Sequence, residues 1–490
     1  MSLPLLPLLL DRTPPGLRRA LRQEGVPHAA WDDAPRAGRF VLFDGGENSP
    51  PALVGGQAAL DVREIGSAGG DPCAELLDER SARCGWQLGP LLATEEVARA
   101  NKREARRRLM RGLQTAVEAA GGVWLRLAPF PHPYRAAFNF RFDHDEYVPG
   151  DLATVLQAIA GHEGATTHYI CASTHFGQPE AMSRLRGLDV GSHGWWHHTY
   201  RDSEDNWVNI RRGIDALTEA GLAPQGFAAP HGRWNRGLSA ALDALGISHS
   251  SEFGFAYDDW PCEPAAGGPL QLPIHPVCLG IALEAARRQS PHLPPQEAAD
   301  ALSEHFRRVI AGRHRAGEPV FLYGHPDGRL GRHPSVLRET LAAASALPDV
   351  WKTTHTQFAA WWRSRLLAQV TVERQGEELL VAVANAPEDH TLALQCFRGD
   401  RLATVPLNRS TLRFQPAALA YEERPDDDSP PGIPIHEIPG LRQRVRRLLD
   451  WERVTPVSEL RGRTVRGWLK KSLRRWRDHA PLDASATPRV

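Results

Sequence analysis

Hydrophobic and polar positions alternate in a regular way along the middle of the chain, from residue 134 to residue 367. Short apolar runs, typical of buried strands, are followed by stretches whose apolar residues recur at helical spacing. Repeated strand–helix units favour parallel strands in a barrel or a wound sheet. The predicted strands are 137–143, 166–172, 190–192, 225–228, 248–252, 270–274 and 320–324, and the predicted helices include 151–162, 204–220, 239–245, 295–316, 335–346 and 356–367.

The segment 1–125 is predicted to be a small α/β domain. It contains no phosphate-binding glycine motif and no nucleophile elbow, so its pattern indicates no function of its own. Its predicted elements are a strand at 5–10, a helix at 17–23, a strand at 40–43 and a long helix at 95–120 that ends at a pair of glycines.

The chain changes character after the central region. Residues 369–424 alternate around Gly376 as a hairpin does, which predicts a small β module. Residues 425–490 are predicted to be a Pro- and Asp-rich linker followed by a basic helical tail. Within the tail, 461–477 has many Arg and Lys residues, no acidic residue, and Trp and Leu on one helical face. Such a helix typically either binds an anionic membrane surface or docks on its own protein with the basic residues outward. Binding to nucleic acid is not expected.

Composition limits the remaining possibilities. A chain of 490 residues with 42% hydrophobic content is long enough for two or three domains. Six scattered cysteines without a Cys-x-x-Cys pair predict no disulfide framework and fit a reducing compartment. The apolar run at 1–10 lacks the basic start and cleavage site of a signal peptide, so a buried strand is predicted there. These features favour a cytoplasmic location, with a peripheral position at the inner membrane face if the tail binds lipid.

Two polar motifs follow predicted strands. Residues 142–146 read Phe-Asp-His-Asp-Glu, and residues 192–197 read Ser-His-Gly-Trp-Trp-His. Two His and one carboxylate bind a divalent ion and leave positions open for water and substrate. The remaining Asp is then free to act as a base, which is the equipment of a metal-assisted hydrolase. The ordinary alternative is a solvated or capping role for the Asp pair, and a packed or surface position for each His.

These motifs resemble those of the NodB-homology polysaccharide deacetylases, over about residues 134–367. The resemblance implies a distorted (β/α) barrel. It also implies that Asp143 is the catalytic base and that Asp145, His193 and His197 hold the metal. Residues two apart on a strand face the same way, and residues four apart share one face of a helical turn, so both pairs can converge.

The third family motif, Arg-x-Pro-Tyr-Gly, is altered here, because residues 228–232 read Ala-Ala-Pro-His-Gly. The resemblance implies that the backbone N–H of His231 helps to bind the oxyanion. Ala228 replaces the Arg that holds the base in the family, and Arg141, Arg233 and His231 are alternative partners for Asp143. A plain Pro-Gly turn is the other interpretation of this segment.

The last two family motifs concern the general acid. Residues 257–260, Tyr-Asp-Asp-Trp, resemble the motif that shapes the pocket and orients the acid. Residues 320–326 resemble the final motif, which implies that His325 is the general acid. His275, which also follows a predicted strand, is the rival for this role.

The expected reaction is hydrolysis of an N-acetyl group on a sugar of a glycan or glycan precursor, giving acetate and a free amine. The expected cofactor is a divalent metal, with Zn²⁺ ahead of Co²⁺, Ni²⁺ and Fe²⁺, because these ligands select weakly among such ions. A related amidase acting on a non-sugar C–N bond and an inactive carbohydrate-binding homologue are the alternatives. Four tryptophans are available either for stacking on sugar or for packing: Trp195, Trp196, Trp234 and Trp260.

Overall fold

The computed structural model describes residues 8–31, 40–45, 52–53, 57–65, 70–387, 391–425 and 428–435. The predicted basic helix at 461–477 lies outside these residues, so its membrane role stays a prediction. Among the helices of the described ranges, none is both long and apolar enough to cross a bilayer.

The region before residue 128 combines a parallel sheet, a hairpin and a long helix. Its parallel sheet has the strand order β2-β1-β3-β4, and the antiparallel hairpin is β5–β6. The elements are β1 (Leu8–Asp11), α1 (Pro15–Glu24), β2 (His28–Ala30), β3 (Phe40–Phe43), β4 (Ala58–Asp61), α2 (Pro72–Leu77), β5 (Ser81–Leu88), β6 (Leu91–Ala98), α3 (Lys102–Ala119) and β7 (Trp124–Leu127).

The helix predicted at 95–120 is shorter than expected. Residues 95–98 belong to β6, where they pair with β5, and α3 begins only at Lys102. Asn101 caps this helix, because its side-chain oxygen accepts a hydrogen bond from the Glu104 amide at 3.2 Å. Strand pairing therefore overrides the local helical pattern before Asn101.

The central region contains the parallel strands and the helices that connect them. The elements are β8 (Ala136–His144), α4 (Pro149–Ala158), β9 (Thr166–Ile170), α5 (Ala172–His175), α6 (Pro179–Arg184), β10 (Val190–Ser192), α7 (Ser203–Glu219), β11 (Phe227–Ala228), α8 (Arg236–Ala244), β12 (His249–Ser251), β13 (Leu270–Gln271), α9 (Leu279–Gln289), α10 (Pro295–Ala316), β14 (Val320–Gly324), α11 (Pro334–Ala346), β15 (Val350–Lys352) and α12 (His355–Leu367). Four predicted strands, at 166–172, 225–228, 248–252 and 270–274, are shorter than expected.

These strands form a curled parallel sheet with the order β13-β12-β11-β10-β9-β8-β14, and β15 also pairs with β8. The two ends of the sheet meet where the His275 amide donates to the Phe321 carbonyl at 2.9 Å. Phe140, Phe142 and Leu322 of the strands pack with Leu302 of α10 in one hydrophobic cluster. Burying an aliphatic or aromatic side chain of this kind contributes about 1.5–3 kcal/mol. The predicted distorted (β/α) barrel is confirmed.

The C-terminal strands complete the N-terminal region rather than the barrel. Strand β18 pairs with β7, and β22 pairs with β5. Leu109 of α3, Val381 of β17 and Leu394 of β18 belong to one hydrophobic cluster, so regions far apart in sequence share a core. The elements are β16 (Gln369–Gln375), β17 (Glu378–Ala384), β18 (Ala393–Arg398), β19 (Arg401–Pro406), β20 (Thr411–Phe414), β21 (Glu422–Glu423) and β22 (Ile433–Pro434).

Buried charges join the N-terminal region to the barrel. Arg106 of α3 donates from Nε to Asp259 Oδ1 at 2.9 Å, and its Nη2 lies 3.5 Å from Glu318 Oε1. Glu24 of α1 pairs with both Arg106 and Arg126. All five side chains are buried, and we call them the joint network. Because each of its acids meets a guanidinium, the network fixes the loop around residue 259 against the N-terminal region.

Candidate active site

Strand β8 presents Arg141 and Asp143 on the same face, because they lie two residues apart on an extended strand. Arg141 Nη2 donates to Asp143 Oδ2 at 2.7 Å, and both side chains are buried. Arg141 Nη1 in turn donates to the Ser251 carbonyl and hydroxyl oxygens, each at 2.9 Å. Of the three predicted alternatives, Arg141 is therefore the residue that holds Asp143 in place of the missing Arg at 228.

Asp145, His193 and His197 converge just beyond the ends of β8 and β10. One ligand atom from each lies within 4.8 Å of the other two, and we call these residues the metal cluster. Asp145 Oδ1 lies 3.1 Å from His197 Nε2 and 3.5 Å from His193 Nε2. The His193 Nδ1–H donates to the Ala228 carbonyl at 2.7 Å, which directs the Nε2 lone pair toward the cluster.

The spacing of His193 and His197 predicted a helical turn, but the structure has no helix there. Residues 193–200 form an irregular loop after β10, with a bend at 195–197. Gly194 has a φ of 82°, and a Cβ there would lie 2.7 Å from Asn209 Nδ2. Asn209 of α7 accepts from the Trp196 amide at 2.8 Å. The loop is thus shaped by a left-handed glycine and a buried amide side chain on a distant helix.

The residues beside the two histidines are packed rather than open to the site. The His198 ring lies 4.6 Å from the Tyr200 ring, and His198 is buried, as expected for a neighbour that is not a ligand. Trp195, Trp196 and Trp260 are also buried. Packing in the protein interior therefore explains the positions of three of the four tryptophans that are candidates for stacking on sugar.

Electrostatics favour an ionised Asp145. Burial opposes the charged form, but His197 and His325 outweigh it, so the pKa of this carboxyl lies well below its usual value. Asp145 Oδ1 and His193 Nε2 are buried and have no hydrogen-bond partner among the described residues. An ionised carboxylate and two neutral imidazole nitrogens are the donor forms that a divalent metal requires.

His231 and His325 lie at the edge of this cluster. The His231 ring is 4.7 Å from the His197 ring, and His231 has a φ of 60° in the turn that replaces the third motif. His325 Nε2 lies 3.6 Å from Asp145 Oδ2. Burial and the nearby Arg329 lower the pKa of His325 to about 3, against the opposing effect of Asp145 and Asp143. The imidazole is therefore neutral at rest.

His275, the rival acid, has both ring nitrogens engaged elsewhere. Its Nδ1 lies 2.8 Å from Asp258 Oδ2, and its Nε2 lies 2.9 Å from His305 Nε2. Its backbone amide donates to the carbonyl of Phe321 in β14. Phe321 precedes His325 by four residues, which is roughly 13 Å of extended chain at about 3.3 Å per residue. Asp258 of the predicted fourth motif thus orients His275 and not His325.

Sequence reasoning missed several residues that shape the site. Asn209 and Ser251 carried no motif signal, because their roles depend on strands and helices that meet only in the fold. His144, which precedes Asp145 in the chain, is buried and has its Nε2 2.9 Å from His168 Nδ1. Arg329 stands four residues after His325, and that spacing was the one available sign of its position.

No family model matches the chain, and no curated protein matches it. Among solved structures, it is similar to a protein assigned as a polysaccharide deacetylase from Mycobacterium smegmatis, with 23% identity, a TM-score of 0.41, and coverage of 51% of this chain and 98% of that chain. The PuuE allantoinase is 16% identical, with a TM-score of 0.39 and coverage of 48% and 93%. A family 4 carbohydrate esterase from Streptomyces lividans is 13% identical, with a TM-score of 0.30 and coverage of 44% and 92%.

Proposed function

We propose that this chain hydrolyses the N-acetyl group of a sugar in a glycan or glycan precursor with a divalent metal ion, releasing acetate and a free amine. The observation that carries the proposal is the metal cluster beside Asp143, a separate carboxylate fixed by Arg141. A metal-assisted hydrolase needs this division between a carboxylate that binds the ion and one that accepts a proton. The motif resemblance to polysaccharide deacetylases supports the acetamide as the group that is cleaved.

The donor set fits a divalent ion, because two imidazole nitrogens and one carboxylate form a common three-ligand site with open positions. Asp145, His193 and His197 would hold the ion, and zinc is the first expectation. When bound, the ion supplies Lewis acidity to the acetamide carbonyl and makes water easier to deprotonate.

The chain's own residues have distinct roles in the proposed reaction. Asp143 accepts a proton from the attacking water. Arg141 holds Oδ2 of this carboxylate, and Oδ1 has no hydrogen-bond partner among the described residues, so Oδ1 is the oxygen available for the proton. The backbone N–H of His231 donates to the oxyanion. His325 takes up a proton from solvent and delivers it to the departing amine, and Asp143 afterwards releases to solvent the proton that it took from water. Asp145 and Asp143 favour the charged form of His325.

The test is acetate release from a panel of N-acetylated saccharides and non-sugar acetamides, measured with metal-loaded and chelated protein. We expect acetate from the saccharides only when metal is present, and much less from the His325→Ala variant at unchanged metal content. His275→Ala is the comparison variant for the rival acid. Turnover of non-sugar amides alone would replace the proposal with the amidase alternative, and sugar binding without metal or turnover would indicate an inactive homologue.

A further inference from the structure

Two pairs of side chains lie side by side on neighbouring strands of the barrel. Strand β14 pairs with β8 in parallel, and Tyr323 stands opposite Arg141 in the register. Asp143 follows Arg141 by two residues in β8. His325 follows Tyr323 by two residues, just past the end of β14. Because residues two apart on a strand face the same way, Tyr323 lies on the side of the sheet that carries both the proposed base and the proposed acid.

The Tyr323 ring contacts both of its polar neighbours. The guanidinium carbon of Arg141 lies over this ring, 5.0 Å from its centroid, which is a cation–π distance. The His325 ring meets the same ring edge-on, with 5.6 Å between the centroids. The Tyr169 ring also approaches Arg141, at 5.9 Å, but its hydroxyl lies 3.0 Å from His355 Nδ1. Tyr323 thus contacts the side chain that holds the base and the side chain proposed as the acid.

The Tyr323 side chain is itself held in place. It is buried, its hydroxyl donates to the Pro276 carbonyl at 3.2 Å, and its ring lies 5.9 Å from the Phe253 ring. Pro276 follows His275, whose amide donates to the Phe321 carbonyl in β14. The acceptor of the hydroxyl is therefore tied to the strand that carries Tyr323. A side chain fixed at its hydroxyl and packed on its ring keeps one orientation.

Arg141 depends on such contacts because it is fully buried. Its two Nη atoms donate to Ser251 and Asp143, while its Nε is buried without a hydrogen-bond partner among the described residues. A cation–π contact is stronger away from water, so the Tyr323 ring adds to the forces that orient the guanidinium. Without the ring, the guanidinium would be free to tilt, and the Asp143 carboxylate that it holds would move with it.

We propose that Tyr323 is a positioning residue that keeps Arg141 and His325 in a fixed relation, and through them the proton acceptor Asp143 and the proton donor of the reaction. This inference rests on the proposed function and adds to it a residue that is not itself a metal ligand, base or acid. Proton transfer depends steeply on geometry, and a misplacement of about 1 Å can lower a rate by about 10²-fold.

The test removes the ring or only its hydroxyl. Tyr323→Leu should lower kcat for acetate release by about 10- to 100-fold while KM and metal content stay unchanged, because the lost contacts act on the transition state. Tyr323→Phe should recover most of this kcat, because both contacts are made by the ring. If Tyr323→Leu does not fold, Tyr323→Met fills more of the space and serves the same purpose. An unchanged kcat without the ring would overturn the proposal.

A substrate that needs no acid separates the two contacts. The 4-nitrophenolate of 4-nitrophenyl acetate departs without a proton, so only the contact with Arg141 should matter for this ester. The loss of kcat in Tyr323→Leu should therefore be smaller on the ester than on an N-acetylated saccharide. In a His325→Ala background, Tyr323→Leu should likewise cost less than it does in the wild type. Equal losses on both substrates, or effects that simply multiply in the double variant, would contradict a role through His325.

Phe321→Leu is the matched control. Phe321 is buried on the same strand, and its ring contacts His355 and Phe358. The change should lower the thermal stability to a similar extent as Tyr323→Leu and leave kcat close to the wild-type value. A similar loss of kcat in both variants would mean that a general loosening of β14 explains the effect, and the positioning role would be rejected.

Crystal structures of the variants separate this inference from the hydrolase proposal. If no substrate releases acetate with the wild type, the hydrolase proposal fails, but the geometry around Tyr323 is still measurable. Loss of the 2.7 Å contact between Arg141 and Asp143, together with a turned His325 ring, is expected in Tyr323→Leu and not in Tyr323→Phe. Unchanged positions of these side chains in Tyr323→Leu would reject the positioning role whatever the activity.

Discussion

Two groups of polar side chains use carboxylates differently: the buried joint network, which connects the N-terminal region to the barrel, and the metal cluster, which lies at the ends of barrel strands. In the joint network, Glu24 lies between Arg106 and Arg126, and Glu318 meets several guanidiniums. In the metal cluster, Asp145 Oδ1 and His193 Nε2 face each other without a hydrogen bond.

The comparison distinguishes polar groups that stabilise the fold from polar groups that are available to bind a ligand. A buried charge with its counter-charge supplied by the chain holds two regions together. Buried donors and acceptors that the chain leaves unpaired require a ligand to complete them. Substitutions in the metal cluster should therefore leave the joint network intact, and substitutions in the joint network should leave the metal cluster intact.

The largest effect is expected from His193→Ala combined with His197→Ala. Removing two of three ligands should eliminate bound metal and measurable acetate release, while the joint network keeps the chain folded. Elemental analysis, activity and thermal unfolding of the variant check this. His198→Ala is the matched control, because His198 is adjacent, buried and not part of the metal cluster, and it should retain metal. Equal metal contents in the wild type and the double variant would refute the assignment.

The next effect separates the two aspartates. Asp143→Asn should keep metal and lose turnover by about 10²–10⁴-fold, because it removes the general base without removing a ligand. Asp145→Asn should lose metal affinity first. Metal titration followed by single-turnover acetate release distinguishes them, and a reversed pattern of metal contents would exchange their roles.

The smallest effect on activity, but a clear one on stability, is expected from Glu318→Gln. The change leaves Arg103, Arg107 and Arg313 without their shared acid, and breaking a buried pair costs about 3–5 kcal/mol in the free energy of unfolding. Metal content should not change. The matched control is Glu104→Gln, whose exposed pair with Arg111 should cost less than about 1 kcal/mol.

This stability difference should depend on pH in a defined direction. Burial raises the pKa of Glu318, but Arg103, Arg107 and Arg313 outweigh it and hold the pKa well below the usual 4.5. A group whose pKa is lower in the folded state stabilises fully above its unfolded pKa and loses that contribution as pH falls. Urea unfolding of wild type and Glu318→Gln should therefore differ most near neutral pH and converge below about pH 4.5. A difference that grows on acidification would contradict the ion-pair role.

The part of the site that could be predicted from sequence is the part encoded locally. Asp143 lies at the end of β8 and Asp145 just after it, and His193 and His197 follow β10, so parallel pairing brings both motifs to the same edge of the sheet. The prediction of a helical turn for His193 and His197 was wrong, because the conformation of this loop depends on a hydrogen bond from the Trp196 amide to Asn209 of α7.

The sequence by itself determined the alternation of strands and helices, and with it the barrel and the residues that can bind a metal. Only the tertiary structure decided that Arg141 holds Asp143, because that contact depends on how β8 faces Ser251. It also decided that helices near the start of the described chain share one hydrophobic core with the strands at 369–407. The physical reason is the same in each case: periodicity along the chain fixes which way a side chain faces, whereas the identity of its partner depends on elements far away in sequence.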